Sequence, residues 1–275
     1  SLIAARSDYA EEIAVPLLMV SGWFDHYPSD VLRAFRDLRE RSAEAVRTQH
    51  RLIMGPWLHS TVDAEEQGEL RFPNAVNVAR DAAFAFFDYY LNGAKNGWPL
   101  TPPIRYYQMG ENEWRDCESW STLAVGVRDF YFGDGGTLLP EQEDDGIEAD
   151  LFSADPRDPS PSHGGARFNP FDPSVVPGPL DISGVVESRD DVVLHTSAPL
   201  AQDVAVNGRA SAKLYIQSDR PDCDISLRLC DVHPDGRSII LTDGIARMRF
   251  REGTNGEVFM RPDSVYAITV GLQEI

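Results

Sequence analysis

Two apolar runs with a helical segment between them constrain this fold more than any other feature of the sequence. Residues 15–24 and 51–55 are each continuous apolar stretches of strand length, typical of parallel strands buried on both faces. Between them, Pro28 followed by Ser29 or Asp30 as N-cap predicts a helix start. Strand, helix, strand is a βαβ unit, so the two strands are predicted to be parallel neighbours.

The pattern changes after a second helix, which is predicted over residues 76–92 and ended by Asn92-Gly93. Prolines then form a linker, and short strand-like segments follow without helices, which predicts a sandwich or jelly roll. These segments are residues 104–109, 129–132, 192–196, 210–217, 225–232 and 265–272. The fold class is therefore α/β plus all-β.

We expect two domains, residues 1–98 and residues 99–275. Two strands and two helices are too few for a free-standing parallel sheet, so residues 1–98 are expected to be the C-terminal part of a larger domain. Residues 265–275 are still strand-like where the sequence stops, so the β domain is expected to be truncated as well.

Charge and composition exclude several classes of partner. The chain has 25 Lys and Arg against 44 Asp and Glu, a formal net charge of −19, which disfavours nucleic acid and anionic membrane surfaces. No apolar run approaches the roughly 20 residues that span a bilayer. Three cysteines with no paired spacing do not indicate a disulfide framework. Nothing in the sequence indicates a cellular location.

Two titratable residues directly follow the two apolar strands. Asp25 ends Gly-Trp-Phe-Asp, and His59 follows Gly-Pro-Trp-Leu. The carboxyl ends of neighbouring parallel strands meet at one edge of a sheet, so an aspartate and a histidine there can form the orienting half of a Ser-His-Asp triad. The alternatives are a loop carboxylate before a helix and a surface histidine. Trp57 can belong to the core or to a pocket.

The nucleophilic serine is not found. A nucleophile elbow needs Gly-x-Ser-x-Gly between a strand and a helix, and the sequence contains no such motif. Ser21 and Ser60 do not occupy a strand-to-helix elbow and are rejected. The serine is expected upstream of Ser1 on the same polypeptide, or on a chain cleaved from it.

No metal and no cofactor are expected. His26 lies beside Asp25, with His59 near, but structural zinc usually takes four ligands. The acidic stretches at residues 141–150 and 219–224 do not match the calcium-loop pattern.

Several segments together resemble the cocaine esterase / X-prolyl dipeptidyl peptidase (CocE/NonD, S15) group of hydrolases, and the resemblance spans nearly the whole chain. They are Val15-Pro16 with Gly22-Trp23-Phe24-Asp25, Gly55-Pro56-Trp57-Leu58-His59-Ser60, Phe86-Phe87-Asp88-Tyr89-Tyr90-Leu91-Asn92-Gly93, Asp155-Pro156-Arg157-Asp158-Pro159 with Gly164-Gly165, and Asp231-Val232-His233-Pro234-Asp235-Gly236.

The resemblance implies the C-terminal part of an α/β-hydrolase domain followed by a galactose-binding-like jelly roll. It implies catalytic roles for Asp25 and His59, and it places Tyr27 and its neighbour His26 at the acyl pocket. The implied activity is acyl ester or amide hydrolysis through an acyl-enzyme, with X-Pro dipeptidyl aminopeptidase as an alternative. Outside this class, the chain can be a non-catalytic jelly-roll binding module, since fold does not settle function.

Overall fold

The computed structural model describes residues 9–123, 126–142, 149–167, 169 and 171–275. The first part of the chain contains β1 (Leu18–Phe24), α1 (Pro28–Arg41), β2 (Arg51–Leu58), β3 (Glu66–Gln67), β4 (Leu70–Arg71), α2 (Val78–Asn92), β5 (Ile104–Gln108) and β6 (Glu113–Cys117). The second part contains β7 (Tyr131–Gly133), β8 (Thr137–Leu139), β9 (Thr196–Ser197), β10 (Arg209–Ile216), β11 (Asp224–Val232), β12 (Ser238–Arg247) and β13 (Tyr266–Glu274). Short 3₁₀ turns occur at Tyr9–Glu12, Pro73–Ala75, Trp98–Leu100, Trp120–Thr122, Asp134–Gly136 and Met248–Phe250, and a π-helical turn at Ser183–Glu187.

The first sheet has four strands in the order β1-β2-β5-β6. β1 and β2 are parallel neighbours, which confirms the predicted pairing. The strand expected near residues 104–109 is present as β5, but it pairs in parallel with β2 and antiparallel with β6. It therefore extends the first sheet instead of opening the all-β part. Ile104, Tyr106 and Tyr107 are buried, as a strand inside a covered sheet requires.

Each face of this sheet packs against one helix. On one face, Trp23, Leu52 and Met54 contact the buried side of α1, which includes Leu32 and Phe35. On the other face, alternate strand residues pack beneath α2, and this cluster includes Phe24, Ile53, Trp57, Phe72, Ala79 and Tyr107. Trp57 is fully buried and its Nε1 donates to the carbonyl of Ala75 at 3.1 Å. Trp57 is thus a core residue.

The second part packs two antiparallel strand pairs, β10-β13 and β11-β12, around a common core. Met248, Met260, Ile268 and Val270 form its buried centre. A separate three-stranded sheet contains β7, β8 and β9. Strand β12 was not predicted. The middle residues of the acidic stretch at 141–150 lie outside the described residues.

The start of α1 differs from the prediction because Ser29 has another role. The helix begins at Pro28, and neither Ser29 nor Asp30 is its N-cap. Proline is favoured in the first helical turn. Ser29 Oγ instead donates to Gln273 Oε1 at 2.8 Å and accepts from the backbone N–H of Glu274 at 3.1 Å, so it ties α1 to β13.

Helix α2 begins two residues later than predicted, and the three cysteines form no disulfide. Helix α2 ends at Asn92 with Gly93 in the left-handed conformation, as predicted, although it begins at Val78 and not at residue 76. Cys117, Cys223 and Cys230 are free, and burial raises the pKa of Cys117 and Cys230 to about 11. Among the described residues, no helix combines the length and the hydrophobicity needed to cross a membrane.

A buried histidine anchors the beginnings of β1 and β2. His50 is fully buried, and its Nδ1 accepts the backbone N–H of Leu17 at 3.2 Å. The proton of the neutral ring therefore lies on Nε2, which donates to Ser42 Oγ at 2.9 Å. Burial, and then the positive charges of Arg39 and Arg51, lower the pKa of His50.

We expect His50 to make stability fall in mild acid. Its pKa is lowered in the folded state, so below an unfolded pKa of about 6.5 the unfolded chain binds the extra proton. Its contribution is therefore complete above that pH and is lost as the pH falls toward the folded pKa. Urea unfolding at several pH values should show a smaller acid loss for His50→Gln than for the unaltered chain. The control His233→Gln should keep the loss, and equal pH slopes in all three proteins would contradict the assignment.

Candidate active site

The ends of β1 and β2 bring Asp25 and His59 together. Phe24 and Leu58 are paired across the two strands, so the next residue of each strand enters the same loop region. His59 Nδ1 lies 3.3 Å from Asp25 Oδ2. Asp25 is buried, whereas the side chain of His59 is about half exposed. The pair can therefore present the outer nitrogen of the imidazole to a reactant while a buried carboxylate orients the ring.

Asp25 is held in place by residues of β1. The backbone N–H of Asp25 donates to the carbonyl of Gly22 at 3.0 Å, and Ser21 Oγ donates to the carboxylate oxygen Oδ2 at 3.4 Å. The other oxygen, Oδ1, lies 3.2 Å from Nδ1 of His26. Ser21 is buried within β1, where it orients the aspartate, in keeping with its rejection as a nucleophile.

His26 and Tyr27 lie beside the pair. The ring of His26 is 4.6 Å from that of His59 and 3.8 Å from that of Tyr27, measured between centroids. Burial lowers the pKa of His26; the Asp25 charge opposes this effect, and His59 adds a smaller lowering. Tyr27 is about half exposed, with its ring 6.2 Å from that of His59. All four predicted site residues thus form one cluster.

A polar cavity of about 560 Å³ is lined by His26, by residues of α1 and by residues of the second part of the chain. Three guanidinium groups line it, those of Arg33, Arg167 and Arg209. Two carboxylates offset part of this charge, because Arg167 Nε donates to Asp243 at 2.9 Å and Arg33 pairs with Asp30 at 2.6 Å. The lining therefore has one more arginine than carboxylates, in a chain whose net charge is −19.

Sequence reasoning missed Gln67, which fixes the loop that carries His59. Gln67 is fully buried. Its Oε1 accepts from the backbone N–H of Leu58 at 2.9 Å and from Thr61 Oγ1 at 2.6 Å, while Nε2 donates to the carbonyls of Thr61 and Ala64 at 2.8 and 2.9 Å. One side chain therefore satisfies backbone groups on both sides of His59. No local pattern marks such a glutamine.

The same loop is tied to α2 through Asp63. Its two carboxylate oxygens accept the backbone N–H groups of Ala79 and Arg80, each at 2.8 Å. Asn77, which precedes the helix, makes no side-chain cap, so Asp63 caps the helix from a distant position in the sequence. A carboxylate at this end of a helix is also favoured by the helix dipole.

Comparisons with known proteins agree on one family. The family model "X-Pro dipeptidyl-peptidase C-terminal non-catalytic domain" matches residues 96–275, and the model "X-Pro dipeptidyl-peptidase (S15 family)" matches residues 3–61. Cocaine esterase of Rhodococcus sp. (strain MB1 Bresler) is 32% identical over 272 residues, which cover 94% of this chain and 46% of that protein. A putative serine esterase of Mycobacterium tuberculosis is 26% identical over 86% of this chain and 36% of its own length.

Solved structures share the fold. An aminopeptidase from a marine sediment Thaumarchaeota archaeon superposes with a TM-score of 0.81 at 24% identity, over 96% of this chain and 45% of that one. An α-amino acid ester hydrolase gives a TM-score of 0.77 at 23% identity, over 94% and 45%. The architecture is that of a hydrolase sheet followed by a β-rich C-terminal domain. The chain belongs to the CocE/NonD-type hydrolases, and it spans less than half the length of these relatives.

We expect Gln67→Leu to disturb the His59 loop. Leucine has a similar size but removes the partner of the Leu58 N–H and of the Ala64 carbonyl, whereas the Thr61 carbonyl still accepts the N–H of Ala64. Each buried unsatisfied group costs about 1–3 kcal/mol, so urea unfolding should show a loss of at least about 2 kcal/mol. The control is Gln202→Leu at an exposed position, which should change stability by less than about 0.5 kcal/mol. Equal effects of the two substitutions would contradict the role of Gln67.

We also expect Gly22→Ala to separate the ends of β1 and β2. A Cβ at Gly22 would clash with the backbone carbonyl of Trp57, which cannot rotate away as a side chain can. Overpacking of this kind costs about 1–3 kcal/mol or more, measurable as a lower melting temperature. A Cβ at Gly256 meets no atom within 4 Å, so Gly256→Ala should have little effect. A Gly22→Ala protein as stable as this control would contradict the close contact.

Proposed function

We propose that this chain supplies the general base and the orienting aspartate of a serine hydrolase that acts on acyl esters or amides. The observation that supports it best is the 3.3 Å contact between His59 Nδ1 and Asp25 Oδ2 at the carboxyl edge of the parallel sheet. Membership of the CocE/NonD-type hydrolases agrees with hydrolysis as the class of reaction.

In the proposed mechanism, Asp25 keeps the proton of neutral His59 on Nδ1, so that Nε2 has a free lone pair. Nε2 accepts the proton of the serine hydroxyl as the hydroxyl attacks the acyl carbonyl, and later returns a proton to the leaving group. The buried carboxylate stabilises the imidazolium that forms between these steps. Water then attacks the acyl-enzyme with Nε2 again as the base, which releases the acid and restores the serine hydroxyl.

The serine belongs, in this proposal, to a segment upstream of Ser1. The relatives are about twice as long as this chain, which leaves room for that segment. We assign residues 1–98, together with β5 and β6 of the same sheet, to the end of the α/β-hydrolase domain, and the rest of residues 99–275 to a galactose-binding-like jelly roll. Tyr27 and His26 would contact the acyl group.

The test is Asp25→Asn in the full-length polypeptide. The amide would favour the wrong tautomer of His59, and turnover of a p-nitrophenyl ester should fall by about 10⁴-fold. The control is Asp81→Asn on the exposed first turn of α2, which should keep full turnover. Near-normal hydrolysis by Asp25→Asn would remove the aspartate from the mechanism.

A second candidate function is binding without catalysis. It is favoured by the family model that matches residues 96–275, because that family is a non-catalytic domain. A fluorophosphonate probe separates the two, because it labels an activated serine. Labelling of the full-length polypeptide that is lost in His59→Gln supports the hydrolase, and absence of labelling supports the binding module. Faster cleavage of an X-Pro p-nitroanilide than of simple esters would favour the peptidase alternative.

A further inference from the structure

Three potential metal ligands meet at the carboxyl edge of the sheet. Asp25, His26 and His59 each offer one ligand atom, and these atoms lie within 4.8 Å of one another. Asp25 and His26 come from the loop after β1, and His59 comes from the loop after β2. We propose that these residues form a binding site for a divalent transition-metal ion of the Zn²⁺ type, and that occupancy of this site blocks the Asp25–His59 pair.

The spacing of the ligand atoms fits such an ion. Zn²⁺ binds imidazole nitrogen and carboxylate oxygen at about 2.0–2.2 Å, so two ligands of a tetrahedral site lie about 3.3–3.5 Å apart. The contacts of Asp25 with His26 and with His59 are 3.2 and 3.3 Å long. His26 contacts Oδ1 and His59 contacts Oδ2, so each histidine nitrogen already lies at this spacing from one oxygen of the same carboxylate.

The second observation is the state of Asp25 Oδ1. This oxygen is buried and accepts no hydrogen bond from any described residue, although Nδ1 of His26 is 3.2 Å away. A buried carboxylate oxygen normally has a hydrogen-bond partner or a metal. A cation between the two loops would satisfy both Oδ1 and Oδ2. It would also neutralise a buried negative charge in a chain whose net charge of −19 attracts cations.

Three protein ligands are enough for an open site. The absence of a fourth ligand was the argument against zinc in the sequence analysis, but only structural zinc sites need four protein ligands. Open sites use three protein ligands and a water molecule, and two histidines with one carboxylate are a common set of this kind. The exposed side of His59 leaves space for that water.

Metal binding and proton transfer exclude one another here. The metal needs Nδ1 of His59 without its proton, because both use the same lone pair. The proposed base needs that proton in order to hold its tautomer against Asp25. Binding at this site would therefore inhibit hydrolysis, and this consequence depends on the proposed function, whereas the binding itself does not.

The experiment is calorimetric titration of the metal-free full-length polypeptide with ZnCl₂ at neutral pH, without substrate. We expect one saturable Zn²⁺ per chain. His26→Gln and His59→Gln should each weaken binding by about tenfold or more, the scale on which a lost ligand or its support acts. His26→Cys keeps a zinc ligand and should retain binding, which separates loss of a ligand from loss of folding.

The matched control is His233→Gln. His233 Nε2 lies 3.5 Å from Asp231 Oδ2. Within the described part of the chain, no third potential ligand joins this pair, so the substitution should leave the titration unchanged. Absence of saturable binding, or binding that His26→Gln does not weaken, would overturn the proposal. Zinc binding by a polypeptide that hydrolyses no ester would leave this site standing and refute the hydrolase. Ester hydrolysis by a polypeptide that binds no zinc would support the hydrolase and refute the zinc site.

Discussion

The close approach of β1 and β2 at their carboxyl ends determines the geometry of the rest of the site. Gly22 faces the backbone carbonyl of Trp57, and Gly55 faces the indole ring of the same residue, with no space for a Cβ at either position. Trp57 is buried beneath α2 and hydrogen-bonded to Ala75. Two glycines and one tryptophan therefore set the separation at which Asp25 and His59 enter their loops, and a contact of 3.3 Å tolerates little change in it.

Rigidity of the His59 loop has a different origin, because the loop lies beyond the last strand pair. Gln67 holds its backbone from inside, and Asp63 connects it to the first turn of α2. These are hydrogen bonds of side chains to backbone groups, and such bonds define a loop conformation when no sheet or helix supplies partners. The exposed ring of His59 therefore lies on a well-fixed backbone, which the proposed role of His59 as a general base requires.

The sequence was sufficient for the parts of the fold that periodicity and chain order control. The apolar runs of β1 and β2, the helix between them and the strand-end positions of Asp25 and His59 could all be predicted, because burial on both faces and parallel pairing leave a strong pattern. Strand β12 was missed; it contains Asp243-Gly244, a dipeptide typical of turns. Gly244 is there because a Cβ would clash with the backbone of Gly271. Gln67, Asp63 and the contact of Ser29 with β13 depend on partners distant in sequence, so no local pattern could predict them.

A serine–histidine contact elsewhere in the chain shows why proximity alone does not make a catalytic pair. Ser42 Oγ and His50 Nε2 are 2.9 Å apart, closer than Asp25 and His59. The N–H of Leu17 donates to Nδ1 of His50, which leaves the proton on Nε2, so this histidine donates to the serine and cannot accept its proton. In addition, both side chains are fully buried. At His59 a carboxylate takes the place of that N–H and the ring reaches solvent. The group that faces Nδ1 therefore makes the difference. A hydrogen-bond donor there suits His50 to anchor the fold, and a hydrogen-bond acceptor there suits His59 to act as a base.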